Sequence, residues 1–156
     1  MFKSLKQRWK NLLLCIKYPV IIPRNFNTNK MCTGFFSHTW LDNFPIGWRK
    51  LGLDLFKELQ EAINKYPKEE RKAFRIYGIK EKFGKLQIHL SAYTSDIDEI
   101  LTKYEKISSK TCVACGRKAH WLTKGYIVPM CNHCKKEYKN KYKFNPMYKK
   151  YKRRKK

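Results

Sequence analysis

Thr111-Cys112-Val113-Ala114-Cys115-Gly116 and, with fifteen residues between Cys115 and Cys131, Cys131-Asn132-His133-Cys134 decide how the C-terminal third of this chain folds. Two thiolates separated by two residues can bite one tetrahedral ion, and a glycine just after the pair lets backbone amides turn toward the sulfurs. The full pattern, C-x2-C-x15-C-x2-C, lies within the spacing of a four-cysteine zinc site. Between the pairs, Ala119 to Pro129 reads as a short hairpin turning at Lys124-Gly125, and Lys135 to Tyr142 reads as a helix. Knuckle, hairpin and a second pair at a helix start make a treble-clef-like finger. The expected ligands of one Zn2+ are Cys112, Cys115, Cys131 and Cys134. His120 and His133 are near enough in sequence to compete, but four thiolates already fill the tetrahedron. A catalytic zinc keeps an open position, and this set leaves none, so the expected role is structural. A segment with so few core residues would draw its stability from the metal. Zinc deaminases also use CxxC, but they need an upstream His-x-Glu pair that none of the histidines here supplies.

Upstream of the finger the patterning predicts an α+β domain with a two- or three-stranded antiparallel sheet and flanking helices. Pro45-Ile46-Gly47 precedes a helix over Trp48 to Tyr66, with Trp48, Leu51, Leu55, Phe56, Leu59 and Ile63 on one face and Pro67 at its end. Residues 73–80 read as a strand, and Lys85 to Tyr93 as its return, with Leu86, Ile88 and Leu90 alternating against Gln87 and His89. Gly84 supplies the positive φ of the turn between them, and Phe83 is expected to plug the core, the alternative being a contact surface for a partner. Ser95, with Asp98 three residues on, is expected to cap the next helix, whose stripe is Ile97, Ile100, Leu101, Tyr104 and Ile107. Residues 2–17 read as a basic amphipathic helix carrying Phe2, Leu5, Trp9, Leu12, Leu13 and Ile16. Such a helix can bind an anionic surface or nucleic acid; packing of the stripe on the domain is the expectation. Tyr18 to Trp40, with Pro19, Pro23 and Gly34, reads as an irregular but ordered loop anchored by Phe26, Phe35, Phe36 and Trp40.

The charge is large and uneven: +24 in all, with 7 basic and no acidic residues over 1–40, 14 and 11 over 41–110, and 15 and 1 over 111–156. A field of that size attracts polyanions, nucleic acid above all. Six cysteines, four in zinc-spaced pairs and Cys15 and Cys32 alone, fit a reducing compartment such as the cytoplasm better than a disulfide scaffold. No apolar run reaches the ~18 residues of a membrane span, so stable insertion is not expected. Asn11–Ile22 follows several cations as a signal peptide would, but Lys17 and Pro19 interrupt it and no small-residue cleavage site follows.

Beyond the finger, Lys and Arg interleave with Tyr138, Tyr142, Phe144, Tyr148 and Tyr151. Cations neutralise phosphates while aromatic faces stack on unpaired bases. The candidate nucleic-acid contacts are Lys124, Lys135, Lys136, Lys139, Lys141, Lys143, Lys152, Arg153, Arg154, Lys155 and Lys156, the last five in a tail without apolar partners. No nucleophile–base constellation and no glycine-rich phosphate loop is present, so enzymatic activity is not expected. Glu58 and Glu61, and Glu69 and Glu70, sit among lysines as solvated ion-pair faces.

In order along the chain come Gly47-Trp48 opening a helix, Ile79-Lys80-Glu81-Lys82-Phe83-Gly84 between strands, Thr111-Cys112-x-x-Cys115-Gly116, and Gly125-Tyr126 before the last CxxC. This order resembles a family of small, mostly uncharacterised bacteriophage and prophage proteins. The likeness covers roughly residues 18–135, including the Tyr18-Pro19, Pro23-Arg24-Asn25 and Thr33-Gly34 stretch, and leaves the basic tail outside. Lys85 stands where members often carry a second glycine. The resemblance implies a viral or prophage origin and action in a bacterial cytoplasm, and it brings no activity with it. The expected organisation is an α+β core with its basic helix over 1–110, a finger over 111–142 and a basic tail over 143–156. The expected function is non-enzymatic nucleic-acid binding. The rivals are a phage protein that binds a host protein, as an inhibitor of defence or a modulator of transcription, and a virion or packaging component.

Overall fold

The computed structural model describes residues 4–147 apart from Phe26 and Thr33. Phe2 of the first expected helix, Tyr148, Tyr151 and the cluster Lys152–Lys156 lie outside the described residues. Over the described residues the architecture is α+β: five α-helices, a two-stranded and a three-stranded antiparallel sheet, and 3₁₀ turns linking them.

Helix α2, Arg49–Ile63, is the centre of the core. Leu51, Leu55, Phe56, Leu59 and Ile63 recur at helical spacing and are all buried, as the stripe requires. The helix is shorter than the sequence reading at both ends. Trp48 belongs to a 3₁₀ turn ahead of it, and Pro67 starts a separate short helix α3, Lys68–Arg71, instead of closing α2. Helix α4, Ser95–Ser108, crosses α2 and buries Ile97 and Tyr104 against it. Its N-cap is Thr94, one residue before the expected Ser95. Thr94 and Asp96 are instead tied to the Tyr66 hydroxyl, which donates to Asp96 Oδ1 at 2.8 Å.

Strands β1, Ile76–Lys82, and β2, Lys85–Leu90, form the core hairpin. Leu86, Ile88 and Leu90 face inward as their alternation predicts. The loop has two residues, Phe83 and Gly84, with φ of 51° and 79°, the signature of a type I′ turn whose twist matches that of the strands. Phe83 does not plug the core. It is 71% exposed, and the buried place in the turn is taken by Gly84 against Pro129 and Ile127.

Helix α1, Leu5–Lys17, also departs from expectation. Its buried residues are Asn11 and Cys15, while Leu5, Trp9, Leu13 and Ile16 face outward. Asn11 fixes this rotation: its Nδ2 donates to the Phe36 carbonyl at 2.8 Å and its Oδ1 accepts from Gln7 at 3.0 Å. Between Tyr18 and Trp40, Phe36 and Trp40 pack against the core and Arg24 is bridged to Met31.

Candidate metal centre and basic surface

The knuckle begins where α4 ends. Thr111 bridges to Lys118, the Cys112 amide donates to the Arg117 carbonyl at 2.7 Å, and the Gly116 amide to the Cys112 carbonyl at 2.9 Å. Gly116 has φ of 78°, a conformation that side chains strain to adopt. Strands β3, Trp121–Thr123, and β4, Pro129–Met130, form the finger hairpin, and helix α5, Asn132–Glu137, follows at once. Cys131 is the N-cap of α5, its Sγ accepting from the Cys134 amide at 3.4 Å. The helix therefore starts three residues earlier than the expected Lys135 and stops before Tyr142.

These elements bring Cys112, Cys115, Cys131 and Cys134 together, all four Sγ atoms within 4.8 Å of one another and those of Cys115 and Cys131 3.5 Å apart. A tetrahedral ion with metal–sulfur bonds of about 2.3 Å has sulfur–sulfur edges of about 3.8 Å, so the donor set fits. Three of the thiols are buried and Cys115 is at the surface. Burial raises the thiols of Cys134 and Cys115. Burial pushes Cys131 upward too, but the Cys134 amide and the neighbouring thiols outweigh it and bring the group down to about 7. Four thiolates this close would repel one another strongly, and a divalent cation at the centre removes the conflict. Among the described residues no histidine or carboxylate joins the group. His133 contacts Glu137 at 3.0 Å instead. Cys15 and Cys32 lie elsewhere, and burial, then Asp42, raises the Cys15 thiol to about 11.

The knuckle is seated on the core by Gly47 and Trp48. The Gly47 amide donates to the Val113 carbonyl at 3.0 Å, and the fully buried Trp48 donates its indole N–H to the Thr111 carbonyl at 2.8 Å. A Cβ on Gly47 would fall 2.3 Å from the Cys112 carbonyl oxygen and 2.6 Å from the Gly116 nitrogen. The visible signal was a glycine directly before a tryptophan at a helix start. A second seat joins the two hairpins, where the Tyr126 hydroxyl donates to Glu81.

The finger runs past the expected boundary at 142. Strand β5, Phe144–Pro146, pairs with β3 to give the order β4-β3-β5, and the Met147 amide donates to the His120 carbonyl at 2.9 Å. Of the candidate phosphate contacts, Lys124, Lys136, Lys139, Lys141 and Lys143 are exposed. The Lys124 amide donates to the Lys143 carbonyl at 2.8 Å, which sets these two side by side. Lys135 is half-buried with its Nζ 3.0 Å from the centre of the Trp121 ring, so it serves the finger's own packing. Tyr138 and Tyr142 lie together, ring centres 6.4 Å apart. Among the described residues no helix is long and apolar enough to cross a membrane. Compared with known proteins, the chain matches no family model, no curated protein and no solved structure.

Proposed function

We propose that one structural zinc ion, held by Cys112, Cys115, Cys131 and Cys134, braces a cationic surface that binds nucleic acid without catalysis. The observation that carries the reading is the run of exposed lysines ordered by the finger itself. Lys124 and Lys143 are joined through β3 and β5, and Lys136, Lys139 and Lys141 follow from α5 and its turn. Glu137 is the one acidic residue over 111–156, and it is engaged by His133. The metal would supply folding stability to a small segment, and its four thiolates would leave no position for substrate. The tyrosines among the lysines suit stacking on unpaired bases. Taken with the resemblance of its motifs, the protein is an accessory factor of phage type acting in a bacterial cytoplasm.

The test is fluorescence anisotropy with a labelled single strand and a labelled duplex across a salt series. The comparison chain ends at Met147, since a cut at 144 would also strip β5 from the finger. Binding should fall steeply with salt, and loss of Lys149, Lys150 and Lys152–Lys156 should lower the log–log slope by up to about 5 on a single strand, at about 0.7 per phosphate contact. K124E/K139E/K143E should weaken it further. Salt-independent binding, or none with the whole chain, would overturn the reading. The exposed Phe83 favours the rival reading of a protein partner. In that case F83A would abolish capture of the partner and truncation would not.

A further inference from the structure

Helix α1 presents its apolar residues to solvent. Leu5 is 72% exposed, Trp9 61%, Leu13 63% and Ile16 68%, and these residues recur at intervals of four, four and three on one face. An apolar stripe of this kind on a folded surface marks a docking site. The rotation is enforced, because Asn11 is buried and bonded to the Phe36 carbonyl on the opposite side. Lys6, Lys10 and Lys17 share the flank of the stripe at helical spacing, and no acidic residue occurs before Asp42.

We infer that α1 lies in the interface of an anionic lipid bilayer, with Leu5, Trp9, Leu13 and Ile16 at the headgroup–acyl boundary and Lys6, Lys10 and Lys17 against lipid phosphates. The composition decides between occupants. Aliphatic leucine and isoleucine gain nothing by stacking on bases, so the stripe is not part of the nucleic-acid surface. A second copy would set two lysine flanks together with no acidic partner, on chains of +24 each. An anionic bilayer offers both an apolar layer and a phosphate layer, and tryptophan with flanking lysine is suited to that boundary. With 13 residues the helix is about 20 Å long, too short to span a hydrocarbon core of about 30 Å, so it lies along the surface.

The experiment uses the full zinc-loaded chain and vesicles of phosphatidylcholine alone or mixed equally with phosphatidylglycerol. Co-flotation should occur with the anionic vesicles and be weak with the neutral ones. L13E/I16E replaces two exposed side chains, so its melting should match the parent, while its partition onto anionic vesicles should drop by about tenfold or more. Brominated lipid should quench tryptophan emission in the parent and not in W9F, which retains Trp40, Trp48 and Trp121. This readout needs only the parent fold and W9F, and stands even if L13E/I16E misfolds. Nucleic-acid binding should be unchanged in L13E/I16E, which separates this inference from the proposed function. Failure to float with anionic vesicles would overturn it. So would equal flotation of L13E/I16E, which would show that basic residues alone hold the chain, or equal quenching in W9F. Self-association that L13E/I16E dissolves, without Trp9 quenching, would assign the stripe to a second copy.

Discussion

Replacing Gly47 by alanine tests whether the knuckle is seated on the core. The added Cβ would lie 2.3 Å from the Cys112 carbonyl oxygen, 2.6 Å from the Gly116 nitrogen and 2.7 Å from the Cys115 nitrogen. All three are backbone atoms of the metal knuckle, so no side chain can swing aside. Ordinary contact distances require a separation of about 1 Å. That displacement stretches the Gly47–Val113 bond of 3.0 Å and the Trp48–Thr111 bond of 2.8 Å past useful length. Overpacking costs about 1–3 kcal/mol, and two lost hydrogen bonds add about 1 kcal/mol each. The expected destabilisation of about 3–5 kcal/mol corresponds to a fall in Tm of about 10 °C or more for a chain of this size. Circular dichroism melting in excess zinc reads it. G34A is the control, since nothing lies within 4 Å of the Cβ it would add, and it should shift stability by no more than about 0.5 kcal/mol. A G47A protein that melts with the parent and with G34A would refute the seating of the finger on the core.

Three further outcomes follow from the same geometry. W48F should cost about 2–4 kcal/mol by circular dichroism melting, because it opens a fully buried site and leaves the Thr111 carbonyl without its indole donor. F83N should raise stability by about 1 kcal/mol, since asparagine tolerates the left-handed φ of 51° that phenylalanine holds at a cost; an unchanged or lower Tm would contradict the turn assignment. Glu58 is held below its usual carboxylate range, first by its hydrogen bond with Lys103 and also by that with Tyr104. A group lowered in the folded state contributes stability above its unfolded value of about 4.5 and loses it as pH falls through the folded value. The gap between the parent and E58Q, measured in urea titrations, should therefore narrow as pH drops from 6 toward 3 and would be flat if the pair were absent.

Most of the helices and both hairpins were legible because burial writes its period into the sequence. Leu51 to Ile63 and Leu86 to Leu90 each present one apolar face, and the core accepted it. The quartet was legible because chelation requires short, fixed spacings. What stayed hidden depended on tertiary partners. The stripe of α1 announced a two-faced helix, but only the bond from Asn11 to Phe36 decides which face turns inward. Phe83 looked like core by composition, but in the two-residue loop its side chain faces solvent. Strand β5 is three residues inside a run of lysines and tyrosines, too short for alternation to register, and it forms because β3 offers it an edge. The starts of α4 and α5 shifted because Thr94 and Cys131 took the N-cap positions. Gly47 carries no periodic signal at all; its need arises from a backbone that comes close from residues 112–116.

The central claim is that the four thiolates hold one zinc ion that braces the finger. Elemental analysis of the purified chain, set against protein concentration, measures it directly. The account predicts one zinc per chain, none in the variant with all four ligand cysteines changed to serine, and the parent ratio in a C15S/C32S variant. A parent that stays folded, as judged by circular dichroism, with no bound metal after purification without chelator would contradict it.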